Sequence, residues 1–309
     1  MQEKKAVAQI IKKEFNQVAK IERMTTGTCN EVFSVSLPNK QVIVRLNVEP
    51  SEMIGSETYI PLLSSKGIPV PKIIDSNYDK KIVPFAYQIL SKIDGQDIGK
   101  VIAKLSDKQL KNIAKELVKI IKKLSKLSTN GKFGWVGNER GPLYNTWLEI
   151  LKPTKVIARD KKTGVVGDAY IKQVKNVLKK YKAYFDNVKS TFYYDDMSSK
   201  NVIIHKGKFV GLVDLDTMAY GDPFEAVGRI KASWYGTNYG NTYTKAMENG
   251  LKLSMSEKEI VTVYAFLNRV HWLSEKGIKF NKNTSKAIDK KGISKDRRAI
   301  DGLANELGI

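Results

Sequence analysis

The chain has 309 residues, 42% of them hydrophobic, and its 53 Lys and Arg against 32 Asp and Glu give a formal charge of +21. That length and apolar share suffice to bury one large core or two smaller ones, so an enzyme-sized globular protein, more readily of two lobes than one, is expected. A single cysteine, Cys29, excludes an internal disulfide and fits a reducing compartment, and with only His205 and His271 beside it a Cys/His zinc site lacks donors.

The opening stretch MQEKKAVAQIIKKEF puts charges through what would have to be the apolar core of a signal, and no later run of about 18 apolar residues follows. A cytoplasmic protein with no membrane partner is therefore expected. The positive charge would attract nucleic acid or another polyanion. It is carried mostly by lysine, however, spread along every segment without interleaved aromatics, which reads as a solvated surface and predicts no specific nucleic-acid partner. Neither a G-x-S-x-G elbow, nor a Walker GxxxxGK[ST], nor a G-x-G-x-x-G is present.

In chain order, Val7, Ile10, Ile11, Phe15 and Val18 recur at helical spacing and predict an amphipathic helix lying on something larger. The period then changes. Val32, Val35 and Leu37, then residues 42–46 across a Pro38-Asn39 turn, predict a β-hairpin. A helix from about Ser51 to Ser65 should stop at Lys66-Gly67, since Pro69 and Pro71 forbid its continuation. Apolar stretches over 71–74 and 83–90 predict two more strands. Beyond them helices dominate: one opened by a Ser106…Gln109 capping box, one over about 168–185, one over about 223–235, and one opened by Ser256…Glu259 and running past Trp272. Between the second and third lie a predicted strand over 192–194, a loop, and two short strands over 202–204 and 209–213.

That last region, DDMSSKNVIIHKGKFVGLVD, holds the chemistry. Asp196 and Asn201 end a short loop, and a tight Lys206-Gly207-Lys208 turn should fold Asp214 back beside it. Carboxylate, amide and carboxylate oxygens gathered at strand ends suit a hard cation such as Mg²⁺, which binds through one or two carboxylates plus substrate phosphates. Taken alone, Asp196 and Asn201 can equally be turn-stabilising residues. The order of parts decides between these readings: a hairpin with a glycine, a basic residue on the next strand, a glutamate on the following helix, then D-x-x-x-x-N and a strand-terminal Asp is the arrangement of kinase-type phosphoryl transfer.

From about Lys20 to Ala232 the sequence resembles the aminoglycoside phosphotransferase and choline kinase family of protein-kinase-like small-molecule kinases. The matching pieces are Gly27 with Asn30 in TTGTCNEVF, Arg45 in VIVRL, Glu57 in GSETYIPLL, GIPVPKII at 67–74, Asp94-Gly95, Asp196-Met-Ser-Ser-Lys-Asn201, Val213-Asp214-Leu215, and Gly221-Asp222-Pro223. The resemblance implies an α+β, protein-kinase-like two-lobed fold: residues 1–92 as a nucleotide-binding lobe, a small β-sheet with one inserted helix, and 93–309 as a larger, mainly helical catalytic and acceptor-binding lobe. It implies transfer of the γ-phosphate of ATP or GTP, with Mg²⁺, to a hydroxyl of a small molecule such as an antibiotic, a choline-like amine or a sugar. Asp196 would take the acceptor proton, help worth about 10²–10⁴-fold. Asn201 and Asp214 would hold Mg²⁺. Arg45 would pair with the α- and β-phosphates, fixed by Glu57; Gly27 and Thr28 would cover the phosphates; Ser91 and Ile93 would meet the nucleobase.

Two departures from the family pattern stand out. Tyr194-Asp195 replaces the usual His-Gly before the catalytic Asp, and a second carboxylate beside Asp196 should raise one of the two pKa values unless a cation is near. Arg45 replaces the usual lysine, and its guanidinium can bind phosphate bidentately. A nucleotide-holding pseudokinase and a lysine-driven nucleic-acid binder are the rival readings. Trp234, Tyr235, Tyr239, Tyr243, Tyr264 and Trp272 are either helix core or an acceptor surface able to hold an amine by cation–π contact. Asp222 is expected to cap the helix that follows it. Acceptor and oligomeric state stay open at this level.

Overall fold

A computed structural model describes residues 2–25, 27, 29–137, 144–280 and 282–309. Helix α1 (Gln2–Phe15) turns Ala6, Val7, Ile10 and Ile11 onto an antiparallel five-stranded sheet of order β1 (Lys20–Met24), β2 (Glu31–Ser36), β3 (Gln41–Asn47), β5 (Ala86–Ser91), β4 (Ile73–Asn77). The period-2 rule sorts β3: Val42, Val44 and Leu46 are fully buried against α1 and β2, whereas Ile43 and Arg45 face the other way. Helix α2 (Ser56–Ser65) covers that second face and sends Tyr59, Ile60 and Leu63 into the larger core below. The predicted helix over 51–65 therefore begins late, because Pro50–Glu52 forms a separate 3₁₀ turn.

The remainder is mainly helical: α3 (Ile98–Val101), α4 (Asp107–Leu124), α5 (Trp147–Leu151), α6 (Thr154–Thr163), α7 (Asp168–Lys180), α8 (Lys182–Asp186), α9 (Phe224–Ser233), α10 (Asn238–Leu251), α11 (Met255–Ser274) and α12 (Lys290–Glu306). The Ser106–Gln109 capping box opens α4 as expected. The helix expected over 168–185 breaks at Tyr181 into α7 and α8, which puts Phe185 in the core and Tyr184 against Asp222. The capping box of α11 is Ser254 with Glu257, not Ser256 with Glu259; two overlapping S-x-x-E patterns compete, and Glu259 is taken by the Tyr181 hydroxyl. Helices α3, α5, α6, α10 and α12 were not predicted, although a Thr146…Glu149 capping box opens α5. Among the described residues no helix is long and apolar enough to cross a membrane.

Two small sheets line the floor below the N-terminal sheet. One is β10 (Lys208–Leu212), β9 (Val202–His205), β6 (Gln96–Asp97); the other is β7 (Gly134–Val136), β11 (Met218–Gly221), β8 (Thr191–Tyr193).

Candidate active site

The β9–β10 hairpin closes through Lys206 (φ 48°) and Gly207 (φ 74°), the two left-handed residues that a two-residue turn needs. At its open end Val213 N–H donates to Asn201 C=O at 3.0 Å, so Asn201 and Asp214 emerge one residue apart across that link. The Tyr194 hydroxyl donates to the carbonyls of Val213 and Asp214 at 2.9 and 3.0 Å, and so ties the end of β8 to this point. Asp214 has a left-handed backbone (φ 63°), which Asp tolerates better than most residues. Asn201 Nδ2 donates to the Asp196 carbonyl at 3.2 Å, and Ser198 Oγ to Asp196 Oδ1 at 2.7 Å. Asp196, Asn201 and Asp214 all line one cleft of about 570 Å³ between the N-terminal sheet and the two floor sheets.

The Asp214 side chain lines the cleft and is 56% exposed. Partial desolvation there, reinforced by the charges of Asp216 and Asp196 and opposed by Arg45, pushes its pKa up to about 6. Among the described residues its one ion pair is a long one, 3.5 Å to Arg45 Nη2. Asn201 spends its amide nitrogen on the Asp196 carbonyl, so its Oδ1 points away from that carbonyl. A carboxylate in need of countercharge beside an amide oxygen is a donor set that fits Mg²⁺. Among the described residues no three His, Cys, Asp or Glu side chains converge to hold a metal by themselves, so an ion here would complete its shell with water and phosphate oxygens.

Arg45 is 5% exposed, and its partners are not those expected. It meets Asp216 fork to fork, Nη1 to Oδ1 at 2.9 Å and Nη2 to Oδ2. Burial would lower its pKa, but Asp216 and then Asp214 outweigh that and raise it. Arg45 and Glu57 are not brought together. The side-chain amide of Gln88, fully buried on β5, stands between them: Arg45 Nη1 donates to its Oε1 at 3.3 Å, and its Nε2 donates to Glu57 Oε1 at 3.2 Å. Glu57 also accepts from the Tyr78 hydroxyl at 2.6 Å. The physical reason is register, since Arg45 pairs across from Gln88 and the amide fills the space an ion pair would use.

The cation required beside the Asp195-Asp196 pair is Arg229 on α9. Its Nη2 lies 3.1 Å from Asp195, its Nη1 3.6 Å from Asp196, and its Nε 2.8 Å from Glu225 one turn back. Burial would lower its pKa, yet the three carboxylates raise it well above the ordinary value. Asp195 also accepts from Trp135 Nε1 at 2.9 Å. Asp222 accepts from Phe224 N–H at 3.0 Å, capping α9, and its other oxygen accepts from Tyr184 and Tyr264, each at 2.7 Å.

On the roof of the cleft lie Gly27 (φ 102°), Cys29 and Asn30; Asn30 Nδ2 reaches Asp216 Oδ2 at 3.4 Å. Thr28 lies outside the described residues. Ser91 and Ile93 line the back of the cleft. The Ser91 N–H is already given to Lys72 C=O at 2.8 Å, which leaves Ile93 as this segment's candidate donor. Trp234, Tyr243 and Tyr264 are buried core, and Tyr235, Tyr239 and Trp272 pack against it, away from the cleft. Gln88, Trp135 and Arg229 fall in no motif of the sequence, and Asp216 lies just beyond the Val213-Asp214-Leu215 segment. The Glu225…Arg229 i,i+4 spacing was the one local signal for any of them.

The sequence profile of the phosphotransferase enzyme family (APH) matches residues 20–257. No curated protein sequence matches the chain. Among solved structures, a thermostable mutant of aminoglycoside phosphotransferase APH(4)-Ia in ternary complex with AMP-PNP and hygromycin B superposes with a TM-score of 0.70 at 15% identity, covering 98% of this chain and 97% of that one. A GDP complex of an aminoglycoside 2′-phosphotransferase-IIIa mutant gives 0.68 at 12% identity, covering 100% and 96%. The streptomycin–ATP–APH(2″)-IIa ternary complex gives 0.64 at 15% identity, covering 97% and 95%. The fold is thus α+β and protein-kinase-like, a sheet lobe on a helical lobe, and the chain belongs to the phosphotransferase enzyme family as a small-molecule kinase.

Proposed function

We propose that the protein transfers the γ-phosphate of ATP or GTP to a hydroxyl of a small molecule in a Mg²⁺-dependent reaction. The observation that carries this reading is the gathering of Asp196, Asn201 and Asp214 on one wall of one cleft. Residues 1–92 serve as the nucleotide lobe and 93–309 as the catalytic and acceptor lobe. Asp196, oriented by Ser198, accepts the proton of the attacking hydroxyl. Asn201 and Asp214 would hold Mg²⁺, which when bound offsets charge on the β- and γ-phosphate oxygens. Gly27 and Thr28 cover the phosphates, and Ser91 and Ile93 meet the base. Arg45, held in place by Asp216, turns its remaining N–H groups to the α- and β-phosphates. Relatives with bound AMP-PNP, ATP and GDP keep both donors in play, and their bound hygromycin B and streptomycin make an antibiotic one acceptor class beside choline-like amines and sugars.

Phosphate transfer from ATP and GTP to a panel of such acceptors tests the reading. Asp196→Asn should lower kcat by roughly 10²–10⁴-fold with nucleotide binding retained. The engagement of Arg45 by Asp216 favours one other reading, nucleotide binding without turnover. Acceptor-free hydrolysis of Mg-nucleotide that disappears in Asp214→Ala would count against it; wild type and variant equally silent with both nucleotides and every acceptor would establish it.

A further inference from the structure

If Asp196 activates the acceptor, the wall beside it is the acceptor's wall, and its charges are already assigned. Asp196 and Asp214 have tasks in the reaction. Asp216 is taken by Arg45, and Asp97 by Lys100 at 2.9 Å. Asp195, 7% exposed in its side chain, spends one oxygen on both Trp135 and Arg229. Behind it Glu225 accepts from Arg229, from Asn268 at 3.1 Å and from Tyr193 at 3.4 Å. Among the described residues the helical lobe thus leaves no carboxylate of the cleft for an ammonium group. What does face the cleft there is of the other kind: the Trp135 ring, 42% exposed, with Lys155 Nζ 5.8 Å from its centroid, and the exposed Lys200 beside Asn201. Among the described residues Tyr194 is the other aromatic residue lining the cleft, and it is buried with its hydroxyl committed, so Trp135 stands there without the further rings that would make a cage for a quaternary amine.

A cationic acceptor seated on this wall would have to take Asp195 or Glu225 from Arg229, stranding a buried guanidinium; the other carboxylate lining the cleft, Glu52, lies on the sheet lobe. We infer that the acceptor is a hydroxyl compound without ammonium groups, uncharged or anionic, that lays a flat face on Trp135 beside Lys155 and Lys200. This inference rests on the kinase reading above and names its substrate class.

The test separates the two. Acceptor-free hydrolysis of Mg-ATP or Mg-GTP that is lost in Asp196→Asn reports on the kinase reading alone. The wall is read by collisional quenching of Trp135, taken as wild type minus Trp135→Phe, with iodide and caesium at equal ionic strength. With each quencher's effect divided by its effect on free N-acetyltryptophanamide, iodide should quench several-fold more than caesium, and the excess should shrink in Lys155→Glu and Lys200→Glu; equal normalised quenching, or stronger normalised quenching by caesium, overturns the inference whether or not hydrolysis is seen. Transfer to glucuronate, glucose, glucosamine, choline and kanamycin then compares charge on related scaffolds. Glucuronate or glucose should exceed glucosamine in kcat/KM by about tenfold. Choline or kanamycin as the best acceptor overturns the inference and leaves the kinase reading standing.

Discussion

Arg45 and Asp216, 171 positions apart in the chain, meet as two parallel forks where the sheet lobe closes on the helical lobe. Both side chains are largely buried, 6% and 14% exposed. Removing one partner strands the other, so Asp216→Ala should cost about 3 kcal/mol of unfolding free energy, as one-sided removal from a buried pair generally does. The double replacement Arg45→Met with Asp216→Leu should recover most of that loss, because neither charge is then left alone. Urea denaturation of both variants checks this; an Asp216→Ala protein as stable as wild type would show the fork to be incidental.

The raised pKa of Asp214 predicts a trade between stability and function. The folded carboxyl holds its proton up to about pH 6, the unfolded one only to its ordinary 3.8. The folded state therefore binds more protons between these values, and the stability this group contributes is full below the lower value and lost as pH rises through the upper one. Asp214→Asn, which keeps a residue tolerant of a left-handed backbone, should melt at a higher temperature than wild type at pH 7.5 without Mg²⁺. The difference should fade as pH falls from 6 to 4. A variant less stable throughout would mean that attraction to Arg45 outweighs repulsion from Asp216 and Asp196.

Arg229 answers to three carboxylates at once, and Glu225 among them is already pushed above the usual carboxylate range by burial, with Arg229 opposing. Arg229→Met should cost about 3–5 kcal/mol. Arg229→Lys keeps the charge but not the fork, and should fold with a lower kcat at nearly unchanged nucleotide KM, since Asp196 loses its neighbour and the nucleotide does not. A rise in nucleotide KM as large as the fall in kcat would place Arg229 in the wrong role.

Cys29 is exposed on the roof of the cleft, between Gly27 and Asn30. Saturating Mg-nucleotide should slow its alkylation by iodoacetamide, because phosphates under this loop would cover it. Mass spectrometry of the labelled peptide reads the rate, and unchanged labelling would put the phosphates elsewhere.

The pieces legible without a structure were those whose signal is local. The D-x-x-x-x-N spacing, the Lys206-Gly207 turn and the β3 alternation each bring a side chain to its place through backbone rules that span a few residues. Helix ends were legible where one capping pattern stood alone, as at Ser106, and misplaced where two overlapped, as at Ser254 and Ser256. The aromatic residues of the last third gave a false choice, since periodicity marks a buried helix face and says nothing of whether the burying surface is protein or ligand.

The sequence by itself determined the class of fold and the order of its parts, and marked Asp196, Asn201 and Asp214 as candidates, because these depend on hydrophobic period, turn chemistry and motif spacing. Only the tertiary structure decided who neutralises whom. Asp216 takes Arg45, Gln88 stands where Glu57 was expected, and Arg229 makes room for Asp195, because in a buried cleft charge must be balanced by whichever groups distant strands and helices bring within about 4 Å. That proximity is set by sheet register and helix packing, which no local spacing encodes.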